Sequence, residues 1–154
     1  MDLSDLHADY LAICRLKCGV ETKRRCVAAL LDYERPRETW NIVGITRAAL
    51  EAYQLNDFKP VKLNRSHKVD RVTTFRELVE NPIENVDRWW ELVVERGRCV
   101  LATATENITD RWSEVVEIPQ GKGLFQGDGV LFSAKYRQKV ERPWVEQMCR
   151  KASS

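Results

Sequence analysis

The sequence predicts an α+β fold: a helical N-terminal half, followed by a small antiparallel sheet and a C-terminal helix. Three observations predict it. Apolar residues recur at helical spacing through the first half of the chain. After Gly97 the pattern changes to β-type, in Cys99–Thr103 and Trp112–Ile118. Pro143 then suits the first turn of a terminal helix running from Trp144 to Lys151.

Taken in order, Leu3, Leu6, Tyr10, Ile13, Cys14 and Leu16 form the stripe of a first helix, with Gly19 as its stop. Thr22 is placed to cap a second helix that buries Val27, Leu30 and Leu31 and ends at Pro36. Thr46 caps a third, through about Asn56. Thr74-Phe75-Arg76-Glu77 has capping-box form and starts a short helix stopped by Asn81-Pro82. Asn85 caps the next, which runs through Trp89, Trp90, Val93 and Val94 to Gly97. Glycine turns flank Leu124-Phe125, and Val130-Leu131-Phe132 reads as a further strand.

At 154 residues the chain fits a single domain, residues 1–154, with a helical part (1–58) and a mixed part (59–154). No apolar run approaches the roughly 20 residues that cross a bilayer, so no membrane partner is expected. The acidic start and the five scattered cysteines fit reduced thiols and a cytoplasmic location.

Charge carries the functional argument. Residues 1–76 hold 14 Lys/Arg against 10 Asp/Glu, residues 77–117 hold 4 against 10, and residues 118–154 hold 7 against 3. Lys59, Lys62, Arg65, Lys68 and Arg71 recur every third residue with only Asp70 among them. In an extended segment these cations share an edge that matches a polyanion. Lys135, Arg137, Lys139 and Arg142 alternate as on a strand face and offer a second strip, and Lys122 reaches out of the glycine turns. The expected partner is nucleic acid, DNA in preference to RNA.

Trp40-Asn41-Ile42-Val43-Gly44-Ile45-Thr46-Arg47-Ala48-Ala49-Leu50-Glu51 resembles a helix-turn-helix motif, with Gly44 as the turn. That resemblance implies a DNA-reading unit with Thr46, Arg47 and Gln54 facing outward. The bland alternative is an ordinary helical hairpin. His67 lies inside the basic run, and with Asn107 it is similar to the first two members of a His-Asn-His nuclease set. That similarity implies a metal-dependent endonuclease in which His67 is the general base. Asp70 and Asn107 would orient it, Mg2+ or another divalent metal would steady the leaving oxygen, and Asp128 or Glu117 would complete the metal site. The alternatives are a His67 that only hydrogen-bonds phosphate or base, or a structural one.

Other patterns point less far. Asp110, Glu114 and Glu117 lack the lysine of a carboxylate nuclease. His7, Cys14, Cys18 and Cys26 lack a paired C-x-x-C and read as core rather than zinc ligands. Gln120–Gly129 lacks the spacing of a phosphate-binding loop that opens a helix. Trp89 and Trp90 cannot both face one core, so one is expected at the surface or against a second copy in a homodimer. The rival to nucleic-acid binding is a non-catalytic interaction or adaptor domain using the acidic helix 84–95 and that tryptophan.

Overall fold

A computed structural model of the chain describes residues 1–109, 111–125 and 135–154. The expected strand at Val130–Phe132, the candidate acids Asp110 and Asp128, and the second half of the glycine-turn segment lie outside the described residues. The element order is α1 (Leu3–Arg15), α2 (Val20–Glu34), α3 (Pro36–Thr39), β1 (Asn41–Thr46), α4 (Arg47–Leu55), β2 (Asn64–His67), α5 (Arg71–Glu80), α6 (Val86–Arg96), β3 (Arg98–Ala102), α7 (Ala104–Thr109), β4 (Val115–Glu117) and α8 (Gln138–Ala152). The chain forms two compact units, each built from two stretches. Unit 1 comprises residues 1–41 and 67–98, and unit 2 comprises residues 42–66 and 99–154.

Unit 1 is helical. Leu6, Tyr10, Val27, Leu31, Phe75, Leu78, Trp89 and Val93 form its core. The spacing of Leu6, Tyr10 and Cys14, and of Trp89 and Val93, puts each set on one helix face. The Asn85 side chain caps α6 by accepting the Arg88 N–H at 2.9 Å. Trp89 is fully buried and stacks on Tyr10 at 5.1 Å, whereas Trp90 is half-buried with Arg35 over its ring. Two starts differ from the sequence reading. Gly19, not Thr22, is the N-cap of α2, which leaves Thr22 inside the helix, and α1 ends earlier with Leu16 as its C-cap. Helix α5 opens at Arg71 because Asp70 accepts both the N–H and the hydroxyl of Thr73, which leaves Thr74 buried inside the helix.

Unit 2 packs helices against the sheet, whose order is β2-β3-β1-β4. The sheet is mixed, not purely antiparallel as expected. Consecutive strands are joined through helices instead of hairpins, and such crossovers permit parallel neighbours. β1 and β4 are antiparallel, with Gly44 opposite Glu117 and Thr46 opposite Val115. The core contains Ile42, Ile45, Leu50, Tyr53, Leu101, Phe125, Val145 and Met148.

The helix-turn-helix resemblance fails here. Residues 41–46 are a strand, as the β-branched Ile42, Val43, Ile45 and Thr46 favour. Gly44 is not a turn: it lies mid-strand, where a Cβ would stand 2.6 Å from Val115 Cγ1. Thr46 does cap α4, accepting the Ala49 N–H at 3.1 Å. The strand expected over Lys135–Arg142 is also replaced. Helix α8 begins at Gln138, so Pro143 sits inside the helix instead of opening it.

Candidate nucleic-acid interface

The three basic stretches of unit 2 are distant in sequence and are held together by two acceptors. The first is the carbonyl of Phe125. It accepts the Lys135 N–H at 3.1 Å and the Arg65 guanidinium Nη2 at 3.4 Å, tying β2 and the start of α8 to the glycine turns. The second is the carboxylate of Glu141, which is fully buried on the first turn of α8. It accepts the Phe125 N–H and the Arg137 N–H, both at 2.8 Å, and two guanidinium bonds from Arg137 at 3.1 Å. Arg137 then reaches the Gly123 carbonyl at 3.1 Å. A buried acid needs this density of donors, because an unpaired one would be neutralised or expelled.

A third tie joins the segment after α4. Tyr136 donates its hydroxyl to the Phe58 carbonyl at 3.0 Å. Tyr136 also lies 4.7 Å from Tyr53 and 6.1 Å from Phe125, ring to ring. Burial pushes the phenols of Tyr53 and Tyr136 up, so both stay protonated donors. Phe125 and Phe58 both have positive φ, +61° and +56°, in the left-handed region that bulky residues avoid. These tertiary bonds hold them there.

The scaffold sorts the cations into two groups. Arg65 is half-buried, and burial pulls its guanidinium down from the ordinary arginine value. It acts on the Phe125 carbonyl, and Arg137 is spent largely on Glu141. Arg142 lies over the Phe58 ring at 5.3 Å and donates to Glu146 at 2.7 Å, which raises its pKa further. Arg47 faces Glu51 and Glu114 at 3.6 Å each. In contrast, Lys59, Lys62, Lys135 and Lys139 are exposed and have no carboxylate partner among the described residues. Lys122 is exposed above the Trp144 ring at 5.8 Å. Val61 and Leu63 pack on the core, so Lys62 between them points out. Lys139 and Arg142 are three residues apart and share a side of α8, the side on which Arg142 meets Phe58. By sequence, unit 2 holds 12 Lys/Arg and 9 Asp/Glu. Two of those acids, Glu106 and Glu141, are buried, and two of the cations, Arg65 and Arg137, are spent on the scaffold, so the excess of three is kept by the remaining groups.

The three-residue basic repeat does not run along one extended edge. Lys59 and Lys62 precede β2, Arg65 lies within it, and Arg71 opens α5. Lys68 and Arg71 belong to unit 1. Arg71 there forms an ion pair with Asp32, donates to the Thr39 carbonyl at 3.0 Å, and lies 4.3 Å over the Trp40 ring. His67 donates Nε2 to the same Thr39 carbonyl at 3.1 Å and meets Trp40 edge-on at 4.8 Å. Asp70, placed in the sequence argument beside His67, caps α5 instead, and the Thr73 hydroxyl and N–H hold its carboxyl below the usual range. Asn107 belongs to unit 2, exposed on α7, with no side-chain hydrogen bond among the described residues.

Among the described residues no group of three His, Cys, Asp or Glu side chains is placed to hold a metal ion. The sulfur set illustrates why: His7 Nε2 donates to the Ile83 carbonyl at 2.8 Å, Cys14 is buried with its thiol 3.8 Å from the Leu78 carbonyl, and Cys18 is exposed.

Glu106 is a second buried carboxylate of unit 2. One oxygen accepts the Thr46 hydroxyl at 2.7 Å and the Thr103 N–H at 3.0 Å, and the other accepts the Ser113 N–H at 2.8 Å and hydroxyl at 2.6 Å. Burial pushes this carboxyl up, but the donors reverse that and hold it at about 2. The Thr46 and Ser113 hydroxyls, having donated to the anion, turn lone pairs to the Ala49 and Ala48 N–H groups at the start of α4. Sequence reasoning missed both buried acids. Glu141 carried a signal in its four-residue spacing from Arg137, hidden when the helix was started at Pro143. Glu106 carried none that pattern alone exposes.

No family model, no curated protein and no solved structure matches this chain. Among the described residues no helix is long and apolar enough to cross a membrane.

Proposed function

We propose that unit 2 binds nucleic acid through the cationic region formed by Lys59, Lys62, Lys122, Lys135 and Lys139. One observation carries the reading: the Phe125 carbonyl and the Glu141 carboxylate bring three separate basic stretches together while using arginines as internal struts. The arginines go to the scaffold, and the lysines remain for solvent or a ligand. Lysines presented as point charges suit a phosphate backbone, whose contacts position a strand without reading its bases. The proposal is one of binding and assigns no reaction.

Fluorescence anisotropy with a labelled oligonucleotide, titrated over a series of salt concentrations, tests it. Binding should weaken steeply with salt, and each neutralisation, Lys62→Gln or Lys135→Gln, should lower the log–log slope by about 0.7–0.9. Lys17→Gln, in unit 1, should leave the slope unchanged. No binding at low salt, or slopes indifferent to Lys62 and Lys135, would refute the reading.

A further inference from the structure

At the edge of this region, the end of α4 and the end of α8 enclose a depression of about 530 Å3, open to solvent and lined by Gln54, Phe58, Glu146, Cys149 and Arg150 among others. One wall is an aromatic ring held in an unusual place. Asp57 and Phe58 are consecutive non-glycine residues with φ of +53° and +56°. The geometry is enforced by the Phe58 N–H to the Tyr53 carbonyl at 2.8 Å, the Tyr136 hydroxyl to the Phe58 carbonyl, and the Asn56 side chain to the Pro60 carbonyl at 3.0 Å. Left-handed backbone at a phenylalanine is strained and persists only where its surroundings impose it. It leaves the ring half-buried beside the depression, with the Arg142 guanidinium across it.

The lining chemistry selects among ligands. Glu146, the acid there, is neutralised by Arg142, and Arg150 is exposed with no carboxylate partner among the described residues. Gln54 supplies both a donor and an acceptor. An aromatic wall, an amide and the cation Arg150 match a flat heteroaromatic ring attached to a phosphate. A paired base presents only its edge and cannot stack on Phe58, whereas an unpaired base can.

We infer that this depression takes an unpaired nucleobase against the side of Phe58 that Arg142 does not cover, so that the ligand class is single-stranded nucleic acid. The inference rests on the cationic reading above. Gln54 meets the edge of the base and Arg150 the adjoining phosphate.

The test compares a labelled single-stranded oligonucleotide of about 20 nucleotides with the same sequence as a blunt duplex, at low salt. The parent protein should favour the single strand at least about tenfold. Phe58→Leu should weaken single-strand binding about five- to tenfold with an unchanged salt slope, and should leave duplex binding alone. Phe58→Tyr should restore the preference, which separates lost stacking from lost folding. Equal affinity for strand and duplex, or equal weakening of both by Phe58→Leu with no recovery in Phe58→Tyr, would overturn the inference while leaving the cationic reading intact. Failure of the parent to bind either form would end both.

Discussion

Replacing Glu106 with glutamine keeps the shape of the side chain and removes its charge. The carboxylate accepts from three residues, Thr46, Thr103 and Ser113, and every contact is a donor aimed at an anion. A glutamine amide offers one oxygen. Its NH2 group must then face either the Thr103 N–H or the Ser113 N–H, and neither backbone donor can turn away. A buried donor left without an acceptor costs about 1–3 kcal/mol, and the remaining bonds lose their charge assistance. The proton equilibrium expresses the same contacts on another scale. Holding the carboxyl at about 2 instead of the ordinary 4.5 corresponds to roughly 3 kcal/mol in favour of the anion. We therefore expect Glu106→Gln to destabilise the protein by about 3 kcal/mol at pH 7. Because the folded value is depressed, that stabilisation is complete above about pH 5 and is lost as pH falls toward about 2. Urea unfolding, followed by circular dichroism and tryptophan fluorescence, should show a wide gap between parent and variant at pH 7 that narrows at pH 3. A gap below about 1 kcal/mol at neutral pH, or one that does not change with pH, would refute the reasoning.

Other outcomes follow from the same geometry. Glu141→Gln should lower stability by about 2–4 kcal/mol and weaken oligonucleotide binding together, since it loosens Phe125 and Arg137 at once; intact affinity in a folded Glu141→Gln protein would separate scaffold from interface. Asp32→Asn removes the carboxylate that receives Arg71 and the Trp40 indole N–H at 3.0 Å, so thermal melting should show a loss of about 2–3 kcal/mol, and an unchanged midpoint would contradict it. Gly97→Ala places a methyl group 2.2 Å from the Glu38 carbonyl oxygen and 2.9 Å from Thr39 Cα, both backbone, and should cost about 3 kcal/mol or more. Gly19→Ala meets nothing within 4 Å and should stay within about 1 kcal/mol in the same melt.

Local pattern carried much of the fold. The caps at Thr46 and Asn85 were legible because a short polar side chain before an apolar stripe has one good use, to accept a first-turn N–H. Strand β3 was legible from Cys99-Val100-Leu101-Ala102. Strand β1 was not, since its β-branched residues lead directly into a helix and Gly44 imitates a turn. The start of α8 was misplaced because proline is strongest as an opening signal, whereas Glu141 organises the turn before it from within the core. The basic repeat was visible, but its sorting was not. Spacing cannot reveal that Arg71 answers Asp32, or that Arg65 answers a carbonyl sixty residues on.

By itself, then, the sequence determined the helical first half, the change to β-period after Gly97, the charge excess and its rough address, because each depends on neighbours within a turn or two of chain. Only the tertiary structure decided which cations are struts and which face outward, and that two buried glutamates, Glu106 and Glu141, each gather several donors from distant parts of the chain. Those outcomes depend on which distant donors meet in a low-dielectric interior, where an unanswered charge is far more costly than at the surface, and that meeting is written in no local pattern.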